Sequence, residues 1–348
     1  MARQYALESI TDERMARIAL SYCMPLGNEL TGRLLQDYGA VQTLRYALDG
    51  SIGRLDATAL AYWRGYLSGY NPAHVAHGVQ LADEHGLAAL FPDDAGWPVA
   101  LDALGTRAPM LLWVRGTRPE LLVRPEHERV SIVGARAASG RGMYDADQLA
   151  VGLSLQDVCI VSTASQGIAR AALSGPALGP GGAITVMPHS IENPDSFTPN
   201  GFLRSVGENG LLVSECSPGR TPGRDALHSQ QRIIAALSAI TTVIESGAQG
   251  EAVQTALIAS KLHRQVAVAA GAPGTTGNAG PRLLLARYGA TPVRTRDDVT
   301  MLLGSLSQPR RTPPTEPAAG SIAAPAQPVM AEPYSAPRSG RESLVLSR

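Results

Sequence analysis

The stretch Val130-Ser131-Ile132-Val133-Gly134-Ala135-Arg136 decides the fold. It is a β-branched run of strand length that stops at a glycine, with Ser139, Gly140 and Gly142 ahead of a helical pattern over Asp145–Leu155. Five more runs share this grammar: Val158–Ser162, Ala183–Met187, Leu211–Ser214, Thr242–Glu245 and Val266–Ala270. Further helical patterns fall at Ser229–Ala239 and Glu251–Leu262. Continuous Val/Ile runs separated by helices mark a parallel sheet covered on both faces. The sequence therefore predicts a Rossmann-like, doubly wound, mostly parallel α/β sheet over residues 128–304.

Upstream the pattern changes. Over residues 8–68, Met15, Ile18, Ala19 and Tyr22, then Leu30, Leu34, Leu35 and Tyr38, recur at helical spacing, with Gly27 and Gly39 as stops. This predicts a small all-α unit. Residues 69–127, with Pro72, Pro92, Pro98, Pro109, Pro119 and Pro125, read as a connecting segment holding one helix near 73–85 and a short strand within Met110–Val114. Downstream, residues 305–348 carry eight prolines between Pro309 and Pro337, with five arginines against three glutamates. So little apolar surface cannot offset the entropy of ordering, and a Pro/Ala-rich disordered tail is expected.

Apolar residues make up 44% of the 348 and charged ones 17%, with thirty basic and thirty acidic side chains. That balance excludes a histone-like nucleic-acid binder and leaves room for a local basic patch. Lys261 is the single lysine. Cys23, Cys159 and Cys216 lie far apart with no CxxC, so no disulfide framework or zinc site is expected, and a reducing compartment fits. No apolar stretch reaches the roughly 18–20 residues of a membrane span. Charged residues Arg3, Glu8, Asp12, Glu13 and Arg14 interrupt the start, which leaves no signal-peptide core. The expectation is a soluble cytoplasmic protein without membrane contact.

Strand ends on one edge of an open α/β sheet converge on a ligand crevice. Here they supply Gly134 and Arg136 after the first strand, Gln166-Gly167 after the second, Asn193-Pro194-Asp195 and Asn200 after the third, and Ser214-Glu215 after the fourth. Five residues separate Gly134 from Gly140, so the dinucleotide fingerprint G-x-G-x-x-G is absent, and no acidic residue ends the second strand. No nicotinamide cofactor is expected. An arginine in that loop suits phosphate, which its fork binds bidentately, although Gly134 could equally serve only a tight turn. Arg232 stands near a helix start in Gln230-Gln231-Arg232-Ile233-Ile234, either facing the crevice or pairing at the surface. Glu251 at a helix start would repel phosphate from the loop of Gly247 and Gly250. Ser165, Ser214 and Ser246 form no G-x-S-x-G elbow. His189, near Glu192 and Asp195, is either a general acid/base group or a loop histidine. Phe197 and Phe202 could stack on bases but read better as core residues.

Taken in order, these motifs resemble the DprA/Smf family of DNA-processing proteins. The likeness runs over about residues 12–304. It is carried by Ile132-Val133-Gly134-Ala135-Arg136, Ile160-Val161-Ser162 leading to Gly167-Ile168, Gly181-Gly182-Ala183-Ile184-Thr185-Val186, Ser214-Glu215 with Pro218-Gly219, Arg232-Ile233-Ile234-Ala235-Ala236-Leu237-Ser238, Thr255-Ala256, Ala279-Gly280 and Tyr288-Gly289-Ala290. The resemblance implies that the helical unit is SAM-like or helix-hairpin-helix-like. It also implies a dimeric protein that binds single-stranded DNA and helps load RecA in transformation and recombination, with no nucleotide cofactor and no catalysis. Gly134, Arg136, Gly167 and Arg232, with Gln166 beside them, would face the DNA.

The chain departs from the family pattern at Gln166, Ala169, Leu173, Gln230-Gln231, Leu227-His228 and Gly250-Glu251-Ala252. At least two cationic positions are lost, which implies binding weakened about tenfold or more at moderate salt. Two other readings remain: a degenerate homologue kept as a dimerisation or partner-binding module, and a nucleotide-handling Rossmann hydrolase. The hydrolase reading lacks its Pro-Gly-Gly-x-Gly-Thr-x-x-Glu loop, for which Gly179-Pro180-Gly181-Gly182 is the nearest match.

Overall fold

The computed structural model describes residues 5–49, 57–193, 201–269 and 276–307, which fall within one compact unit, Met1–Gln308. The proline-rich tail lies outside the described residues. Helices α1 (Glu13–Cys23), α2 (Glu29–Asp49), α3 (Ala57–Leu67) and α4 (Pro72–Glu84) come first. Asp12 caps α1 by accepting from the Met15 amide, and Asn71 caps α4 ahead of Pro72. Gly39, at φ 77°, breaks α2 in two. The Glu13 carboxylate accepts from the Ala40 and Val41 amides, capping the second half from another helix.

Among the described residues nine strands follow: β1 (Ala88–Leu90), β2 (Leu112–Gly116), β3 (Arg129–Val133), β4 (Cys159–Thr163), β5 (Ala183–Met187), β6 (Leu211–Ser214), β7 (Ile240–Val243), β8 (Gln265–Ala269) and β9 (Thr291–Val293). They form one sheet in the order β1-β2-β6-β5-β4-β3-β7-β8-β9. Every pair from β6 to β9 is parallel; β2 joins β6, and β1 joins β2, antiparallel. The order reverses at β3, so the switch point lies between β3 and β7. The doubly wound, mostly parallel sheet is as the sequence predicts. The connecting segment holds the expected helix and strand, as α4 and β2, and adds the edge strand β1. The seventh strand starts at Ile240 rather than Thr242, because Ile240 and Thr241 already pair with Val130 and Ser131.

The remaining helices are α5 (Gly140–Ser154), α6 (Ile168–Ser174), α7 (Phe202–Asn209), α8 (Ala226–Leu237), α9 (Glu251–Lys261), α10 (Ala279–Tyr288) and α11 (Arg296–Ser307). Val130 and Ile132 of β3 pack with α5, α6 and α11, whereas Val133 packs with α8, α9 and α10. Burial on both faces is why the strand is apolar apart from Arg129 and Ser131, whose polar groups are hydrogen-bonded. Its first residue, Arg129, is 1% exposed and donates to the carbonyls of Leu237 and Leu122 at 2.5 and 2.8 Å. Burial pushes its guanidinium down to about 10. The helical unit rests on the sheet through Ile18 and Val75 against Trp113, the Ser21–Ser217 hydroxyl pair at 2.6 Å and Tyr22 donating to the Pro218 carbonyl. No described helix is long and apolar enough to cross a membrane.

Candidate functional site

The loops that leave β3, β4 and β7 are stitched together at the carboxyl edge of the sheet. The Ala135 amide donates to the Glu245 carbonyl, and the Ile168 amide donates to the Ala135 carbonyl. Two glycines allow this. A Cβ on Gly134 would lie 2.5 Å from Ile168, and one on Gly167, whose φ is +76°, would lie 2.3 Å from the Ala135 carbonyl oxygen. Both glycines therefore have a packing reason, and their effect is to hold Arg136 and Gln166 on neighbouring loops.

Two concavities open at this edge. One, of about 310 Å³, is lined by Arg136, Ala164, Ser165, Gln166, Pro188, His189 and Gln230. The other, of about 350 Å³, lies at the switch point between Gly134–Arg136 and the Ser246–Glu251 loop. Arg136 belongs to both and is the one arginine or lysine among the described residues lining them. Its Nη2 donates to both Glu251 carboxylate oxygens, at 2.8 and 2.9 Å, with the two side chains 58% and 47% exposed.

The fork of β3 into α5 is occupied differently from a dinucleotide site. Ser139 caps α5, and its own amide and hydroxyl donate to the Glu245 carboxylate at 2.8 and 2.5 Å. A carboxylate thus sits where a dinucleotide fold receives pyrophosphate. The Gly179–Gly182 turn lies at the opposite edge, before β5, where Arg118 donates to the Gly179 and Pro180 carbonyls at 3.1 and 2.8 Å. It cannot serve a ligand in the cleft.

Arg232 is not where the sequence reading put it. Its side chain is 3% exposed. Nη2 donates to both oxygens of Glu215 at 2.7 Å, Nη1 to the Ser229 hydroxyl at 2.7 Å, and Nε to the Arg107 carbonyl at 2.8 Å. A Cβ on Gly27, itself at φ +63°, would lie 2.7 Å from Nε. Arg232 is a strut between α8, the end of β6 and the α1–α2 turn. Helix α8 brings Gln230, not Arg232, to the cleft, and Gln230 donates to the Val186 carbonyl at 2.6 Å.

His189 lines the cleft with Nδ1 3.0 Å from the Ser190 carbonyl, and burial pushes its pKa down. The nearby Glu192 Oε1 accepts from the Ser190 hydroxyl and the Gly219 amide instead. Phe202 packs toward the core with Arg170 4.7 Å above its ring. Pro194, Asp195, Phe197 and Asn200 lie outside the described residues. Burial pushes the thiols of Cys159 and Cys23 up to about 12 and that of Cys216 up to about 11, which makes them poor nucleophiles. Among the described residues no three His, Cys, Asp or Glu side chains gather as metal ligands. Pro188, unmarked in the sequence, is a cleft wall, as is Gln230, read from the sequence as a departure from the family pattern. Their signal as walls was position alone, after β5 and in the first turns of α8.

The fold is shared with two solved structures. DNA processing protein A from Streptococcus pneumoniae aligns with a TM-score of 0.64 at 23% identity, covering 84% of this chain and 98% of that one. DNA processing protein A from Helicobacter pylori, whose structure is reported for its single-stranded DNA binding mode, aligns with a TM-score of 0.55 at 21% identity, covering 63% and 96%. The family model described as DNA recombination-mediator protein A matches residues 88–304. The protein named DNA processing protein DprA in Mycobacterium tuberculosis is 31% identical over 243 residues, 67% of this chain and 62% of that protein. The chain thus spans somewhat under two thirds of that relative's length. It belongs to the DNA recombination-mediator protein A family.

Proposed function

We propose that this protein binds single-stranded DNA at the carboxyl edge of its sheet, with the loops of Gly134–Arg136 and Gln166–Gly167 as the contact surface. The observation that carries this reading is Arg136, a half-exposed guanidinium held between two concavities by glycine-dependent loop packing. The single-stranded DNA binding reported for the Helicobacter pylori relative supports it. The strand would run past Arg136, with backbone amides and the Gln166 side chain offering further donors. One guanidinium, already paired, predicts weak and salt-sensitive binding. Delivery of the strand to RecA, action as a homodimer, and service in natural transformation or recombination without catalysis follow the family resemblance. Co-purification with RecA and light scattering test the first two.

The direct test is fluorescence anisotropy of labelled oligo-dT at low and moderate salt. The wild type is expected to bind, and Arg136→Ala to lose about tenfold in affinity, the magnitude of one charge-assisted hydrogen bond. A wild type that fails to bind at low salt would favour the partner-binding reading, which the burial of Arg232 and the pairing of Arg136 also fit.

A further inference from the structure

We infer that Glu251 is the resident counter-ion of the cleft: it holds the Arg136 guanidinium that a DNA phosphate would take, so the strand binds there by exchange. The inference rests on the nucleic-acid reading above. Arg136 spans both concavities, while Glu251 walls only the one at the switch point. One guanidinium nitrogen serves both carboxylate oxygens, at 2.8 and 2.9 Å. The two side chains are 58% and 47% exposed, so neither is locked in by desolvation, and an exposed pair of this kind is worth little. A phosphate can therefore open it. Glu251 is also the first residue of α9, and the start of that helix gives the released carboxylate a favourable field.

Exchange has a thermodynamic signature. A free arginine that meets a phosphate releases condensed counterions from the strand. When the arginine comes from an internal ion pair, the freed carboxylate recruits a cation, and the net release at that contact is small. Position 251 thereby sets both the affinity of the cleft and the salt dependence of binding.

Glu251→Gln keeps the shape and removes the charge. Full-length wild type, Glu251→Gln, Arg136→Ala and the double variant are titrated into labelled oligo-dT over a salt series. Glu251→Gln is expected to bind about two- to fivefold more tightly at low salt, the value of an exposed ion pair that no longer has to open. Its slope of log affinity against log salt should be steeper by about 0.7, the increment for one phosphate on a single strand. In the Arg136→Ala background the same substitution is expected to change neither quantity. Equal affinity and slope for wild type and Glu251→Gln, with binding still dependent on Arg136, would overturn the inference and leave the nucleic-acid reading standing. A gain that persists without Arg136 would also overturn it, because Glu251 would then act only by repulsion at a distance. Absence of binding by all four proteins at low salt would remove the underlying reading and the inference with it.

Discussion

Arg136 and Arg232 looked alike in the sequence, each near a strand end or helix start that should face the crevice, yet their surroundings are opposite. Arg136 is half-exposed and loosely paired; Arg232 is enclosed with Glu215. The pattern Arg232-Ile233-Ile234 suggests a helix with one apolar face. What it hides is that a distant segment, Val99–Arg107, covers the other face, so α8 is buried on nearly every side. Removing one partner of a buried pair strands the other charge, at a cost of about 3–5 kcal/mol. Arg232→Ala should therefore lower stability by about that amount in chemical denaturation, whereas Arg136→Ala should change it by less than about 1 kcal/mol. The histidines add a pH dependence. Burial lowers the pKa of His189 and, with the Arg107 charge second, that of His228. The unfolded chain then binds more protons just below its own value near 6.5. Stability from these groups is present above about pH 6.5 and falls as the pH drops toward their folded values. Denaturation curves between pH 7.5 and 5 should show this, with a shallower fall in His189→Gln.

The strands were the most legible elements because burial on both faces leaves short β-branched apolar runs bounded by turn residues, whereas the apolar run Ile233–Leu237 of α8 lies in a longer helical pattern. Ala183–Met187 and Leu211–Ser214 match their predicted bounds, and the other four runs lie within two residues. Edge strands escaped notice for the converse reason. Strand β9 is three residues long with a proline at its centre, and β1 is Ala88–Leu90, so neither has a pattern to read. The glycines of the cleft were visible as turn residues, but their purpose depends on loops far apart in sequence. Gly134 yields to Ile168, and Gly167 yields to the carbonyls of Ala135 and Arg136. Gly167→Ala would force a positive φ on a side chain and drive its methyl into backbone. It should cost more than about 1 kcal/mol in stability and weaken oligo-dT binding, since the loop bearing Arg136 must shift. A melting curve together with an anisotropy titration checks both parts.

At the scale of the molecule, the helical unit and the sheet are joined by polar ties that local sequence patterns do not announce. Arg220 reaches the Ser21 carbonyl at 2.6 Å, Asp225 accepts from the Leu26 amide, and Gly32 lies against the backbone of Thr106. These ties place the α1–α2 turn behind Arg232 and leave the carboxyl edge of the sheet open between β3, β4, β5 and β7. On the proposed reading this edge, and not the helical unit, receives single-stranded DNA. Photo-crosslinking of the full-length protein to a bromodeoxyuridine oligonucleotide, followed by peptide mapping after trypsin, tests it most directly. Adducts are expected in the peptide 130–136 and in the peptide 142–170 that carries Gln166 and Gly167. Adducts confined to the helices between Glu13 and Glu84, with none on those two peptides, would contradict it.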